Sequence, residues 1–243
     1  MTELLPEVDE DWSRGLAVVA HPDDLEYGAA SAIARWTAQG KEIVYVLVTD
    51  GEAGIAGMEP LVAGPLRRDE ELRSAAAVGV HTVDFLGYQD GLVEANLQLR
   101  RDLAAAIRRH RPEVLIGMNF RENWGQPSWN HVDHRNVGVA LLDASRDAAN
   151  EWVFTGLVDD GLEPWSGVRF AAFNGSPNAT HAVDVGATID KGIASLSEHK
   201  VYLDALSPGT MGKDVEPFLR DFAAQTGPSL GVEYAVTFEV IPV

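Results

Sequence analysis

Cysteine is absent from this 243-residue chain. That removes disulfide frameworks, thiolate zinc sites, iron–sulfur clusters and cysteine nucleophiles together, so any metal must be held by His, Asp or Glu. Basic residues are scarce: 19 Lys and Arg stand against 37 Asp and Glu, a formal charge of −18. The averaged field repels phosphate backbones and anionic headgroups, and nucleic acid is not an expected partner. Long apolar runs are also lacking. Nothing approaches the ~20 residues needed to cross a bilayer, and the start, MTELLPEVDEDW, is acidic where a secretory signal is basic and then apolar. A cytoplasmic protein without membrane contact is expected. No Gly-x-Gly-x-x-Gly follows the first strand, and Gly51, Gly54 and Gly57 lack the Lys-Ser/Thr pair of a phosphate loop, which disfavours nucleotide binding.

With 46% hydrophobic and 23% charged residues, the composition is that of a globular domain. Short apolar runs alternate with longer amphipathic stretches, as strands and helices do across a parallel sheet. Gly15 to Ala20, Lys41 to Thr49, Thr82 to Leu86 and Glu113 to Met118 read as strands. Leu25 to Gln39, a stretch from Pro65 to Gly79, one capped by Asn96 and running to Arg109, and His131 to Ala149 read as helices. Beyond residue 150 the rhythm weakens to strands at Arg169 to Asn174 and Glu233 to Ile241 and a helix at Ile189 to Leu206. Repeats, low-complexity segments and linkers are missing, so one domain over 1–243 is expected, with its core at about 15–150 and a divergent part at about 151–243. The fold class is α/β: a Rossmann-like, mostly parallel sheet with helices on both faces. In the order 3-2-1-4-5, strands 1 and 4 lie side by side and a crevice opens at their carboxyl ends.

The residues just after those two strands are therefore predicted to meet. After strand 1 comes His21-Pro22-Asp23-Asp24; the helix after strand 4 opens on His131-Val132-Asp133-His134. A spacing of three at a helix start brings His21 and Asp24 to one face, and His131 and His134 likewise. Taken singly, the first is an ordinary helix cap and the second a solvated helix face. Taken together, His21, Asp24 and His134 make a site of two imidazoles and one carboxylate with an open position, which suits catalytic zinc and also ferrous iron. The loop from Asn119 to Asn130 carries Trp124, Trp129 and several asparagines, including Asn130. Indole faces beside amides suit a saccharide, while packing of either Trp onto the domain is the plain alternative.

AHPDDLE at 20–26, TDGEAG at 49–54, RRDEEL at 67–72, FLGYQDG at 85–91 and HVDH at 131–134 make the chain resemble the PIG-L/LmbE family of metal-dependent N-deacetylases. The resemblance spans about residues 15–140. It implies removal of acetyl from an N-acetylglucosamine-type sugar or conjugate, with His21, Asp24 and His134 as metal ligands and Asp23 as general base. His131 would stabilise the oxyanion or protonate the leaving amine, oriented by Asp133. Arg68, Glu52 and Asp90 fall at positions facing the substrate, with Trp129 and Asn130 beside them. A small amino-sugar is the implied partner, and a homo-oligomer is left open. An amidase of thiol-sugar conjugates would share the whole metal site. A binding module on the same fold would keep the three ligands but have no need of Asp23 or His131, and phosphoester or glycoside hydrolysis fits the histidine-rich second cluster poorly. His199 falls where relatives carry a histidine followed by Ser-Gln; here Lys200-Val201 follows, and its role is open.

Overall fold

The computed structural model describes residues 4–125 and 127–243; Met1 to Glu3 at the acidic start and Gln126 of the Asn119–Asn130 loop lie outside them. In chain order the elements are β1 (Arg14–Val19), α1 (Ala30–Ala38), β2 (Glu42–Thr49), α2 (Pro60–Ala77), β3 (Thr82–Tyr88), α3 (Leu97–His110), β4 (Val114–Met118), α4 (Val132–Ala149), α5 (Gly156–Asp159), β5 (Phe170–Asn174), β6 (His181–Asp184), α6 (Ile189–Leu196), α7 (Lys200–Ala205), α8 (Val215–Thr226) and β7 (Ala235–Pro242). The sheet runs β3-β2-β1-β4-β5-β7-β6. Its first five members are parallel, and β7 lies antiparallel between β5 and β6. The α/β fold and the central order are those read from the sequence.

The central strands are apolar throughout because both faces are covered. Ala17, Val19, Tyr45, Leu47 and Ile116 pack toward α1, α2, α6 and α8. Leu16, Val18, Val44, Val46 and Leu115 pack toward α3 and α4. Pairing of Gly15 with Val114 and of Ala17 with Ile116 fixes β1 beside β4, so the segments leaving their carboxyl ends share one crevice.

Several boundaries differ from the sequence reading. Residues 21–29 are a bend and a series of turns, with Asp23 at φ +94°, and α1 starts only at Ala30. The second helix begins at Pro60, with Pro65 inside it, where the ring forfeits a single ladder hydrogen bond. The stretch from Ile189 to Leu206 is two helices, broken between Ser197 and His199. The short β6 and the helix α8 were not read from the sequence, although Val215, Phe218, Leu219, Phe222 and Ala223 recur at helical spacing in α8. Asn96 does cap α3, its Oδ1 accepting from Leu99 N at 3.0 Å.

Candidate active site

Two turns build the centre. After β1 the chain folds back so that Asp24 N donates to His21 O at 3.3 Å, and the Asp24 Oδ2 oxygen accepts from Ala20 N at 3.0 Å and His21 N at 2.9 Å. This locks Asp24 and leaves Oδ1 directed at the imidazoles. After β4, His131 becomes the N-cap of α4, its Nδ1 accepting from Asp133 N at 3.2 Å. His134 follows one turn into the helix, and its Nδ1 meets Asn130 Oδ1 at 2.9 Å.

These constraints bring three donor atoms together. His21 Nδ1 is 3.2 Å from His134 Nε2 and 3.6 Å from Asp24 Oδ1, and His134 Nε2 is 3.1 Å from Asp24 Oδ1. Ligands about 2.0–2.2 Å from a tetrahedral ion stand about 3.3–3.6 Å apart, so the triangle has the size of one face of a zinc site. The outer Nε2 of His21 faces Asp90 Oδ1 at 3.0 Å and Asp133 Oδ2 at 3.2 Å. Carboxylates behind a ligating imidazole fix its orientation and raise its basicity. His21 and His134 keep 12% and 13% of their side chains accessible, which leaves the triangle open to the crevice.

Two other donor groupings lie within 4.8 Å here, one with His131 beside His21 and His134, the other with Asp90 and Asp133 beside His21. In the second, both Asp133 oxygens and Asp90 Oδ2 already accept backbone N–H groups from Gly91, Val93 and Ala53; in the first, His131 Nδ1 accepts one, which leaves only its Nε2. Burial alone would raise the pKa of Asp24, but His134 and His21 hold it well below the carboxylate range, so it stays ionised.

Asp23 lies beside the triangle, buried, in its left-handed backbone conformation. Asp tolerates that region better than most residues, at a cost that persists only where surroundings enforce it. Glu71 Oε2 does so by accepting Asp23 N at 3.3 Å. Burial pushes the Asp23 carboxyl up to about 6, restrained by the Arg67 guanidinium and augmented by Asp24. Arg67 Nη2 lies 3.0 Å from Asp23 Oδ2 and also donates to Pro22 O, while Nη1 donates to Gly51 O at 3.2 Å. Its guanidinium stacks 4.4 Å from the Tyr202 ring centroid. A Cβ at Gly51 or Gly54 would collide with Arg67 Nη1. The glycines of this loop therefore make room for a buried arginine.

The structure redistributes several expected roles. Asp133 does not turn its carboxylate on His131; it faces His21 and accepts from Gly91 N at 2.7 Å and Val93 N at 3.2 Å. Only its backbone N–H meets His131. Consistently, burial and the neighbouring His21 push the His131 pKa down, outweighing Asp133. Asn130, expected against substrate, is fully buried: Nδ2 donates to Asn119 O and Arg121 O, and Oδ1 receives His131 N and His134 Nδ1. It holds His134 instead. Asp90 is spent on His21 and Ala53 N, and Glu52 Oε1 accepts from Asp90 N at 2.8 Å. Through these contacts both support the loop over His21, while Glu52 Oε2 has no hydrogen-bond partner among the described residues. Arg68 is exposed, ion-paired to Asp50 at 3.4 Å and lying over Phe85. Trp129 is exposed, with Arg135 over its ring. Trp124 is the indole beside the centre, edge-on to His134 with centroids 6.0 Å apart.

Arg67 was missed in favour of its neighbour, although a signal existed. Ala63, Arg67, Glu70, Glu71 and Ser74 recur at helical spacing and are all buried, a polar stripe facing the core. Arg68 falls on the outward side with Asp69 and Leu72.

The chain is similar to several known proteins. A diacetylchitobiose deacetylase of Thermococcus kodakarensis is 28% identical over 236 residues, covering 96% of this chain and 84% of that protein. A 1D-myo-inositol 2-acetamido-2-deoxy-alpha-D-glucopyranoside deacetylase of Thermobifida fusca is 31% identical over 164 residues, 56% of each chain. The solved N,N'-diacetylchitobiose deacetylase from Pyrococcus horikoshii, in complex with an inhibitor, superposes with a TM-score of 0.85 at 26% identity, covering 96% of this chain and 85% of that one. The family model for GlcNAc-PI de-N-acetylases matches residues 16–145, from β1 into α4 and so through both halves of the crevice. The chain belongs to the PIG-L family of deacetylases.

Proposed function

We propose that the protein is a metal-dependent hydrolase that removes acetyl from an N-acetylglucosamine-type sugar or sugar conjugate. The observation that carries the reading is the convergence of the donor triangle, Asp23 and His131 in one crevice of a PIG-L chain. The triangle's dimensions fit a zinc or ferrous ion, with His21, Asp24 and His134 holding it. When bound, such an ion supplies Lewis acidity, which an amide carbonyl needs because it is a poor electrophile.

The protein's own groups account for the protons. Asp23, kept from full ionisation by burial and steadied by Arg67, takes a proton from the attacking water. His131 has its ring centroid 5.2 Å from that of His21 and 5.4 Å from that of His134. Because Nδ1 accepts Asp133 N–H, a neutral His131 carries its proton on Nε2 and can donate to a developing oxyanion or to the departing nitrogen. Asp90 and Asp133 hold His21, and Asn130 holds His134, so the donor set is fixed before substrate arrives. Trp124 beside His134 offers an apolar wall for a sugar ring.

The test is a panel of N-acetylated sugars, including N,N'-diacetylchitobiose and an N-acetylglucosaminyl inositol, incubated with the zinc-loaded full chain and scored for acetate and free amine. Equimolar acetate and amine from at least one member are expected. No release from any member by a folded, metal-loaded chain would overturn the reading.

A further inference from the structure

Under the candidate active site lies a second group of ionisable side chains that the proposed reaction does not use. Glu26 comes from the turns after β1, Glu71 from α2, and His199 from the break between α6 and α7. All three are buried to 1% exposure or less. His199 Nε2 is 3.6 Å from Glu71 Oε2 and 3.9 Å from Glu26 Oε2. Those separations are too long for hydrogen bonds. Among the described residues, both His199 nitrogens, Glu26 Oε2 and Glu71 Oε1 have no hydrogen-bond partner.

Charge sharpens the anomaly. Arg67, the buried cation nearby, is committed to Asp23 and to the carbonyls of Pro22 and Gly51. Arg73 is an exposed partner of Glu198. Two carboxylates are thus left in the interior without a counter-charge, which is costly unless a proton or a cation is supplied. Their outer contacts nonetheless hold them in place: Ser74 Oγ donates to Glu26 Oε1 at 2.7 Å, and Glu71 Oε2 accepts Asp23 N. Atoms 3.6 and 3.9 Å apart are bridged by two bonds of about 2.1 Å, the length expected from imidazole and carboxylate to zinc.

We infer that Glu26, Glu71 and His199 form a second, buried divalent-cation site, structural in role and distinct from the His21, Asp24 and His134 triangle. Two carboxylates and one dication cancel, leaving Asp23 and Arg67 to cancel each other. Mixed imidazole and carboxylate donors suit zinc, manganese or ferrous iron, whereas calcium takes six to eight oxygens, more than these residues supply. The ion ties α2 and the α6–α7 junction to the turns after β1. Since Glu71 also holds Asp23 N–H, it stiffens the strained backbone of the candidate base.

The inference rests on residues separate from the proposed catalytic ligands, and its test separates the two. The full-length chain is loaded with two equivalents of zinc, dialysed, analysed for metal per chain and crystallised for anomalous difference maps at the zinc edge. Two ions per chain are expected, with one peak at each cluster. The His199→Leu chain should retain one, at His21, Asp24 and His134, and the His21→Ala/His134→Ala chain should retain the other. A single wild-type peak at the triangle, or undiminished metal in His199→Leu, would overturn the buried site and leave a shared proton as the occupant. A single peak at the buried cluster would support this inference and instead overturn the catalytic-ion reading, and no peak at all would overturn both. Should His199→Leu fail to fold, the wild-type map decides alone.

Discussion

Arg67 Nη2 sits 3.0 Å from Asp23 Oδ2, and both side chains are almost completely withdrawn from solvent. The pairing depends on Gly51 and Gly54, whose missing side chains leave space for the guanidinium. Gly54 does not have a positive φ, so alanine there meets no φ barrier and acts chiefly by crowding Arg67, with a closer approach to Gly51 O beside it. Gly54→Ala and Arg67→Lys should therefore give the same defect, a fall in kcat of about 10²-fold, the scale of misplacing a reacting group by about 1 Å. Bound metal should be unaltered in both. Steady-state kinetics with metal analysis checks this; full activity in Gly54→Ala would show that Arg67 does not position Asp23.

Asp23 and Asp24 are adjacent in sequence but differ in what they touch. Asp24 Oδ1 faces His134 and His21; Asp23 faces Arg67. Asp23→Asn should abolish turnover while the zinc content of the triangle stays as in the wild type, because a neutral amide cannot accept the water's proton. Asp24→Asn should lose that zinc. Elemental analysis of the two variants distinguishes them, and the reverse pattern would exchange their roles.

The sheet order and the meeting of the two histidine segments were legible because buried parallel strands announce themselves as apolar runs and right-handed crossovers allow few arrangements. The partners of individual side chains were not. Asp133 on His21 and Asn130 on His134 are contacts between residues 112 and four apart, respectively, and nothing in the local pattern around Asp133 tells a carboxylate which of two nearby imidazoles to choose. The left-handed Asp23 was hidden for another reason. A His-Pro-Asp-Asp run is a good helix start by propensity, and only the tertiary hold of Glu71 and Arg67 overrides it. The buried cluster at Glu26, Glu71 and His199 unites three distant segments, so its members read singly as exposed polar residues.

Glu10 links the N-terminal segment to α1. Its carboxylate accepts from Arg35 Nε at 2.9 Å, Trp36 Nε1 at 2.8 Å and Gln39 Nε2 at 2.7 Å. Burial opposes its ionisation, but the hydrogen bonds from Arg35, Gln39 and Trp36 prevail and lower its pKa below the ordinary 4.5. A carboxylate depressed on folding contributes stability that is complete above the unfolded value and is lost as pH falls through the folded one. Glu10→Gln should cost about 2 kcal/mol at pH 7, the scale of hydrogen bonds to a charged group. The difference from wild type should shrink steadily below pH 4.5. Urea unfolding across pH 3 to 7 measures it, and a pH-independent difference would show that the contribution is packing alone.

His131 and Asp133 share the first turn of α4 yet point at different work. The Asp133 carboxylate backs His21, whereas His131 stands open at the crevice with Nε2 free to donate. Asp133→Asn should therefore act on the metal, lowering zinc affinity by about 10- to 100-fold, as loss of a carboxylate behind a ligating histidine does. Excess zinc should restore much of its activity. His131→Ala should leave zinc affinity in place and lower kcat by about 10²-fold or more, the scale of one oxyanion or proton donor, and zinc should not restore it. Zinc titrations followed by activity at saturating metal separate the two. If zinc rescued His131→Ala but not Asp133→Asn, His131 would belong to the ligand set and Asp133 to the proton path, and the assignment drawn from their contacts would have to be inverted.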